Sequence, residues 1–113
     1  MLNKLHSMIG IGKKANYIVL GETGCIQTIK RKKCKLILLS SDASKNTTKR
    51  FEDLCSVNNI KYFKISDKES LGSSVGKGFI SVMSITDMKF GKVIEKIIED
   101  MERTNLNGGV YFD

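Results

Sequence analysis

Apolar residues recur at helical spacing from the start of the chain. Leu2, Leu5, Met8 and Ile9 share one side of a helix predicted over residues 2–13. Asn16 suits a turn that tolerates left-handed backbone, and the run from Tyr17 to Leu20 is a short strand. Gly21 ends that strand and opens a second helix, predicted to reach about Lys32 and to turn Cys25, Ile26 and Ile29 inward. Between Lys35 and Ser40 the sequence LILL shows no polar alternation, which predicts a strand covered on both faces. Ser44 then caps a third helix, with Asp42 close by to suit its dipole. Phe51, Leu54 and Cys55 are that helix's inner stripe, and Asn58-Asn59 breaks it.

A third strand is predicted from Ile60 to Ile65, followed by a short helix that Ser66 or Asp67 caps and that Gly76 ends. The fourth strand runs from Phe79 to Ile85. Thr86 or Asp87 caps the last helix, whose stripe of Phe90, Val93, Ile94, Ile97, Ile98 and Met101 is the clearest in the chain. Its other face carries Lys92, Glu95, Lys96, Glu99 and Glu102. Asn105 to Gly109 stops it, and residues 104–113 are expected to form a loose tail. Alternating helices and buried strands predict an α/β fold: a three-layer αβα sandwich with a four-stranded mixed sheet and about five helices. With 113 residues and 41% hydrophobic content, the chain suits a single domain over residues 1–113.

Charge narrows the choice of partner. The formal net charge is +7, and residues 1–77 hold 15 of the 19 Lys and Arg but 6 of the 12 acids. Lys30, Arg31, Lys32, Lys33 and Lys35 cluster where the second helix gives way to the second strand. Such a cluster is costly to bury and easy to offer to phosphates, so a polyanion is the expected partner. The three cysteines, Cys25, Cys34 and Cys55, include no C-x-x-C pair and read as small buried hydrophobes. No apolar run approaches the length of a membrane span, and the opening MLNKLHSMIGIGKK lacks a leader's apolar core. A soluble, cytoplasmic, monomeric protein with no membrane contact is expected.

Two apparent nucleotide motifs stand in the wrong context. Gly10 to Ala15 spells G-x-G-x-x-A, but a helix precedes it and a strand follows, the reverse of a dinucleotide site. Gly72 to Gly78 imitates a phosphate loop with one residue too few between its glycines and no hydroxyl after Lys77. His6 is the only histidine, and no nucleophile or metal-ligand set is legible around it. Asp42 and Asp67 read as cap helpers. No catalytic residue, metal site or cofactor is therefore assigned.

The run Leu36-Ile37-Leu38-Leu39-Ser40-Ser41-Asp42-Ala43-Ser44-Lys45-Asn46-Thr47 resembles the kink-turn-binding ribosomal protein family called L-seven-Ae/L-thirty-e. Leu71-Gly72-Ser73-Ser74-Val75-Gly76-Lys77 is similar to that family's L-G-x-x-x-G-K turn. Met8 to Ala15 with Val19-Leu20-Gly21-Glu22 looks like the opening of its small bacterial members. The resemblance implies the αβα sandwich and a non-enzymatic RNA-binding role, with ribosomal or another structured RNA as partner and the ribosome as a possible wider assembly. It places RNA on Gly21, Glu22, Thr23, Gly24, Gln27, Lys30 and Arg31 of the second helix. It adds Lys77, Gly78, Phe79 and Ile80 in the loop before the last strand. Kink-turn binders of this family carry Asn-Glu and a Lys three residues on, where this chain has Thr23, Gly24 and Gln27.

Physical reasoning reaches the same helix. Its N-terminus offers unpaired N–H groups to a phosphate, and residues 23, 24, 27 and 31 share a face. The opening of this helix and its lysine-rich exit are expected to form one positive pole. Gly24 serves either close approach of RNA or helix packing, and Phe79 is either a base contact or a core residue beginning its strand. A protein–protein adaptor, or an RNA-gripping partner of an RNA-modifying enzyme, are the alternative functions.

Overall fold

The computed structural model describes residues 2–104 and 111–112. Among the described residues there are five helices: α1 (Leu2–Lys14), α2 (Glu22–Lys30), α3 (Lys45–Asn58), α4 (Lys68–Ser74) and α5 (Met88–Thr104). The strands are β1 (Ile18–Leu20), β2 (Leu36–Leu39), β3 (Tyr62–Lys64), β4 (Val82–Ile85) and the two-residue β5 (Tyr111–Phe112). They form one mixed sheet in the order β1-β4-β2-β3-β5. β4 runs antiparallel to both β1 and β2, while β2 and β3 are parallel. The predicted four-strand sheet is thus present, and β5 extends it by pairing antiparallel with β3. Most of the expected loose tail, residues 105–110 and 113, lies outside the described residues.

Two apolar cores sandwich the sheet. On one face α1, α4 and α5 cover Leu36, Leu38, Met83 and Ile85 with Leu5, Ile9, Leu71, Ile94 and Ile98. On the other, Cys25 and Ile29 of α2 and Phe51 and Cys55 of α3 cover Ile37, Leu39 and Val82. All four residues of β2 are buried, as its unbroken apolar run requires. In α5 the stripe of Phe90, Ile94, Ile97, Ile98 and Met101 is buried. Each such side chain contributes about 1.5–3 kcal/mol by leaving water, against about 1 kcal/mol for a typical helix cap. Val93, expected in that stripe, is 44% exposed; it flanks the contact line, which the i, i+4 spacing of Phe90, Ile94 and Ile98 already fills.

The strand directions give the molecule two ends. β1, β2 and β3 run together, so their C-terminal ends and the start of β4 lie at what we term the head. Here α2, α3 and α4 begin. Backbone bonds knit this end together: Gly21 N donates to Val82 O (3.1 Å), Ser40 N to Ser81 O (2.8 Å) and Ser41 N to Ser66 O (2.7 Å). At the opposite end, the base, α1, α2 and α3 finish and α5 starts.

Candidate nucleic-acid interface

Helix starts leave N–H groups without intrahelical partners, and three of the helices satisfy them with a side chain. Ser44 Oγ accepts from Thr47 N (3.1 Å) at α3 and Asp67 Oδ1 from Ser70 N (2.7 Å) at α4. Asp87 Oδ2 accepts from Phe90 N (2.9 Å) at α5, so Asp87 is the cap there, while Thr86 Oγ1 donates to Tyr17 O. Asp42 supports α4 instead of its own α3, with Oδ1 accepting from Lys68 N at 2.9 Å. α2 differs. Its cap residue is Gly21, which supplies no side-chain bond. Gly21 sits at φ 85°, where an L side chain would be strained. The first turn of α2 therefore presents its N–H groups and the helix's positive end without a side-chain cap.

Glu22, the next residue, turns its carboxylate toward α3. It accepts from Thr47 Oγ1 (3.1 Å) and Arg50 Nη1 (3.4 Å), fastening the two helix starts together. Thr23 is exposed. Gly24 is explained by packing: a Cβ there would stand 2.7 Å from Val19 Cγ1. The same residue faces a groove of about 560 Å³, shared with Val19, Gln27, Arg31, Lys33 and Thr86. The predicted helical face thus exists as a groove wall through Gly24, Gln27 and Arg31. Val19 and Thr86 were not foreseen in it, because nothing in sequence marks the open side of an edge strand.

The loop before β4 meets α2 at the head through the Gly21–Val82 bond. Its path is set by Gly72, whose added Cβ would lie 2.3 Å from Gly78 O. That gap lets Lys77 N donate to Gly72 O (2.8 Å), just after the left-handed turn at Gly76, φ 73°. Val75 is the C-cap of α4 and Gly76 follows it. Ile80 N donates to Lys68 O at 2.9 Å, and its side chain packs partly on the core. Between these anchors Phe79 is 71% exposed. The core alternative for Phe79 is therefore corrected. Strand pairing begins at Val82, so residues 79–81 are loop and the ring has no sheet face to join.

A second correction concerns the single positive pole. Glu22 to Lys30 spans about 12 Å of helix axis at 1.5 Å per residue, from head to base. Lys30, Lys32 and Lys35 therefore stand at the far end from Gly21 and the 77–80 loop; only Arg31 and Lys33 reach the groove.

No metal-binding group of three or more ligands occurs among the described residues. His6 Nε2 lies 2.9 Å from Ser66 Oγ, a pairing between α1 and the start of α4 that the sequence did not suggest. Burial lowers the His6 pKa, and Asp67 partly opposes that. The three thiols are free and buried; burial pushes Cys25 and Cys34 up and Cys55 to about 12, which makes them inert at neutral pH. No described helix is long and apolar enough to cross a membrane.

An αβα sandwich with a glycine-capped second helix beside a glycine-shaped loop is this chain's architecture, and the chain belongs to the Ribosomal protein L7Ae/L30e/S12e/Gadd45 family, whose model matches residues 3–95. It is similar to the RNA-binding protein YlxQ of Bacillus subtilis, 33% identical over 92 residues covering 81% of this chain and 92% of that protein. The Enterococcus faecium protein of the same name is 29% identical over 85% of this chain and 92% of its own length. A Bacillus halodurans C protein of unknown function superposes with a TM-score of 0.82 at 26% identity, covering 85% and 97% of the two chains. The Giardia lamblia 15.5kD RNA binding protein shares the fold, with a TM-score of 0.73 at 22% identity over 88% and 85%.

Proposed function

We propose that this protein is a non-enzymatic RNA-binding protein that engages structured RNA, ribosomal RNA among the candidates, through its head. The observation that carries the reading is the uncapped start of α2 beside the 77–80 loop. The helix end suits a phosphate, and Phe79 offers an apolar face to an unstacked base. Gln27 and Arg31 line the groove leading away from that end and supply polar contacts along the strand. Family membership and relatives that are named RNA-binding proteins support the same partner.

Thr23, Gly24 and Gln27 make this a reader of RNA shape and phosphate more than of base edges, since Gly24 has no side chain to read with. The test is titration of a fluorescent RNA hairpin with an unpaired internal loop. Phe79→Ala removes the stacking surface and is expected to weaken binding by about 1–3 kcal/mol, with the salt dependence unchanged. No hairpin binding by the wild type at 50 mM salt overturns the reading; association with a cellular partner that survives nuclease would assign the protein to the adaptor class instead.

A further inference from the structure

The head is nearly balanced in charge; the base is not. Glu22, Asp42, Asp67 and Glu69 stand at or beside the helix starts of the head, against Lys45, Lys68 and Lys77. The base gathers Lys32, Lys35, Lys89 and Lys92, none of which makes an ion pair among the described residues. Of the acids nearby, Asp87 caps α5 and Glu95 takes the ammonium of Lys61.

The surface is also shaped. One open depression of about 520 Å³ lies between the ends of α2 and α3, lined by Lys32, Lys35 and Asn59. A second, of about 210 Å³, lies between β2 and the start of α5, lined by Lys35, Lys61 and Lys92. Lys35 lines both, so the two depressions adjoin at one lysine, and the pair is termed the trough. Val57 and Met88, 82% and 57% exposed, add apolar contact beside it. A wide, lysine-edged trough without a deep cavity suits a sugar-phosphate backbone better than a small anion.

We infer that the base is a second RNA-backbone contact, distinct from the head, and that one molecule can hold two RNA segments at once. The occupant is an RNA duplex held by its phosphates, because the lining is open and edged by lysines, and double-stranded RNA is recognised mainly by shape and backbone. RNA is chosen over other polyanions because the inference rests on the RNA-binding reading of the head. An RNA held there raises the local concentration of its own neighbouring helices at the base.

The test uses the full chain, the internal-loop hairpin and a fully paired 20-base-pair RNA duplex. In K32E/K35E/K92E, duplex affinity at 100 mM salt is expected to fall about 10- to 100-fold. The log–log salt slope should become shallower by about 2.7, three phosphates at 0.9 each. With hairpin stems kept too short to reach from the head to the base, hairpin affinity should change far less. The neutral K32Q/K35Q/K92Q should show a smaller loss in the same direction, and circular dichroism melting checks that both variants fold. Energy transfer between a donor-labelled hairpin and an acceptor-labelled duplex should appear with wild type and vanish with either K32E/K35E/K92E or F79A. Duplex binding equal in wild type and K32E/K35E/K92E overturns the inference, as does competition between hairpin and duplex for one site. So does a variant that loses phosphatidylserine vesicles but keeps the duplex. Loss of hairpin binding in the wild type strikes the head alone, so the two readings fail separately.

Discussion

The head and the base of this sandwich divide what most nucleic-acid-binding surfaces combine. The head has geometry with little net charge: a helix start left uncapped by Gly21, a loop held in place by Gly72, and an exposed ring at Phe79. The base has charge with little relief, its lysines ranged around a trough centred on Lys35. Phosphate charge supplies affinity that salt removes, whereas stacking and N–H geometry persist in salt. The two ends should therefore answer differently to ionic strength, and a net charge of +7 says nothing about which end recognises anything.

The most damaging change lies between the ends. Leu38 is fully buried in the central strand. Leu38→Ala is expected to cost about 2–5 kcal/mol by urea unfolding and to weaken both proposed RNA contacts together. If one end survived intact while the other failed, the ends would not share a cooperative core.

Gly72→Ala should separate them. Its Cβ would meet the backbone at Gly78 O, which cannot swing aside as a flexible side chain can. A loss of about 1–3 kcal/mol in stability is expected. Hairpin affinity should fall with it while duplex affinity holds; an unaffected hairpin complex would show that the loop's path does not matter to recognition.

The smallest effect concerns pH. The folded-state pKa of His6 lies below its ordinary 6.5, so the unfolded chain binds the proton more readily. Stability is present in full above about pH 6.5 and declines as pH falls through the window below it. Asp67, whose pKa is lowered chiefly by the Ser70 N–H bond, adds a loss in the same direction at more acid pH. Thermal melts between pH 7.5 and 5.5 should show a modest decline that His6→Gln flattens; an identical slope in the variant would place its origin elsewhere.

Much of this architecture was legible in the sequence. LILL read as a strand covered on both sides, and the α5 stripe, the Ser44 cap and the choice of Asp67 or Ser66 and of Asp87 or Thr86 as caps followed from local chemistry. Local pattern has no access to direction. Gly21 and Lys35 are 14 positions apart, yet the chain runs the length of α2 between them, so a pole that looks continuous in sequence is split in space. Phe79 was ambiguous for a related reason: an aromatic residue just before a strand pairs or stays free according to where the partner strand ends. The His6–Ser66 bond joins residues 60 positions apart and left no local trace.

Helix α2 starts within one end and finishes within the other, and its inner residues Cys25 and Ile29 fix it to the sheet. It acts as a ruler: nine residues hold the two surfaces at a constant offset and with a constant relative rotation. RNA helices held by this protein would inherit that spacing as a fixed angle between them.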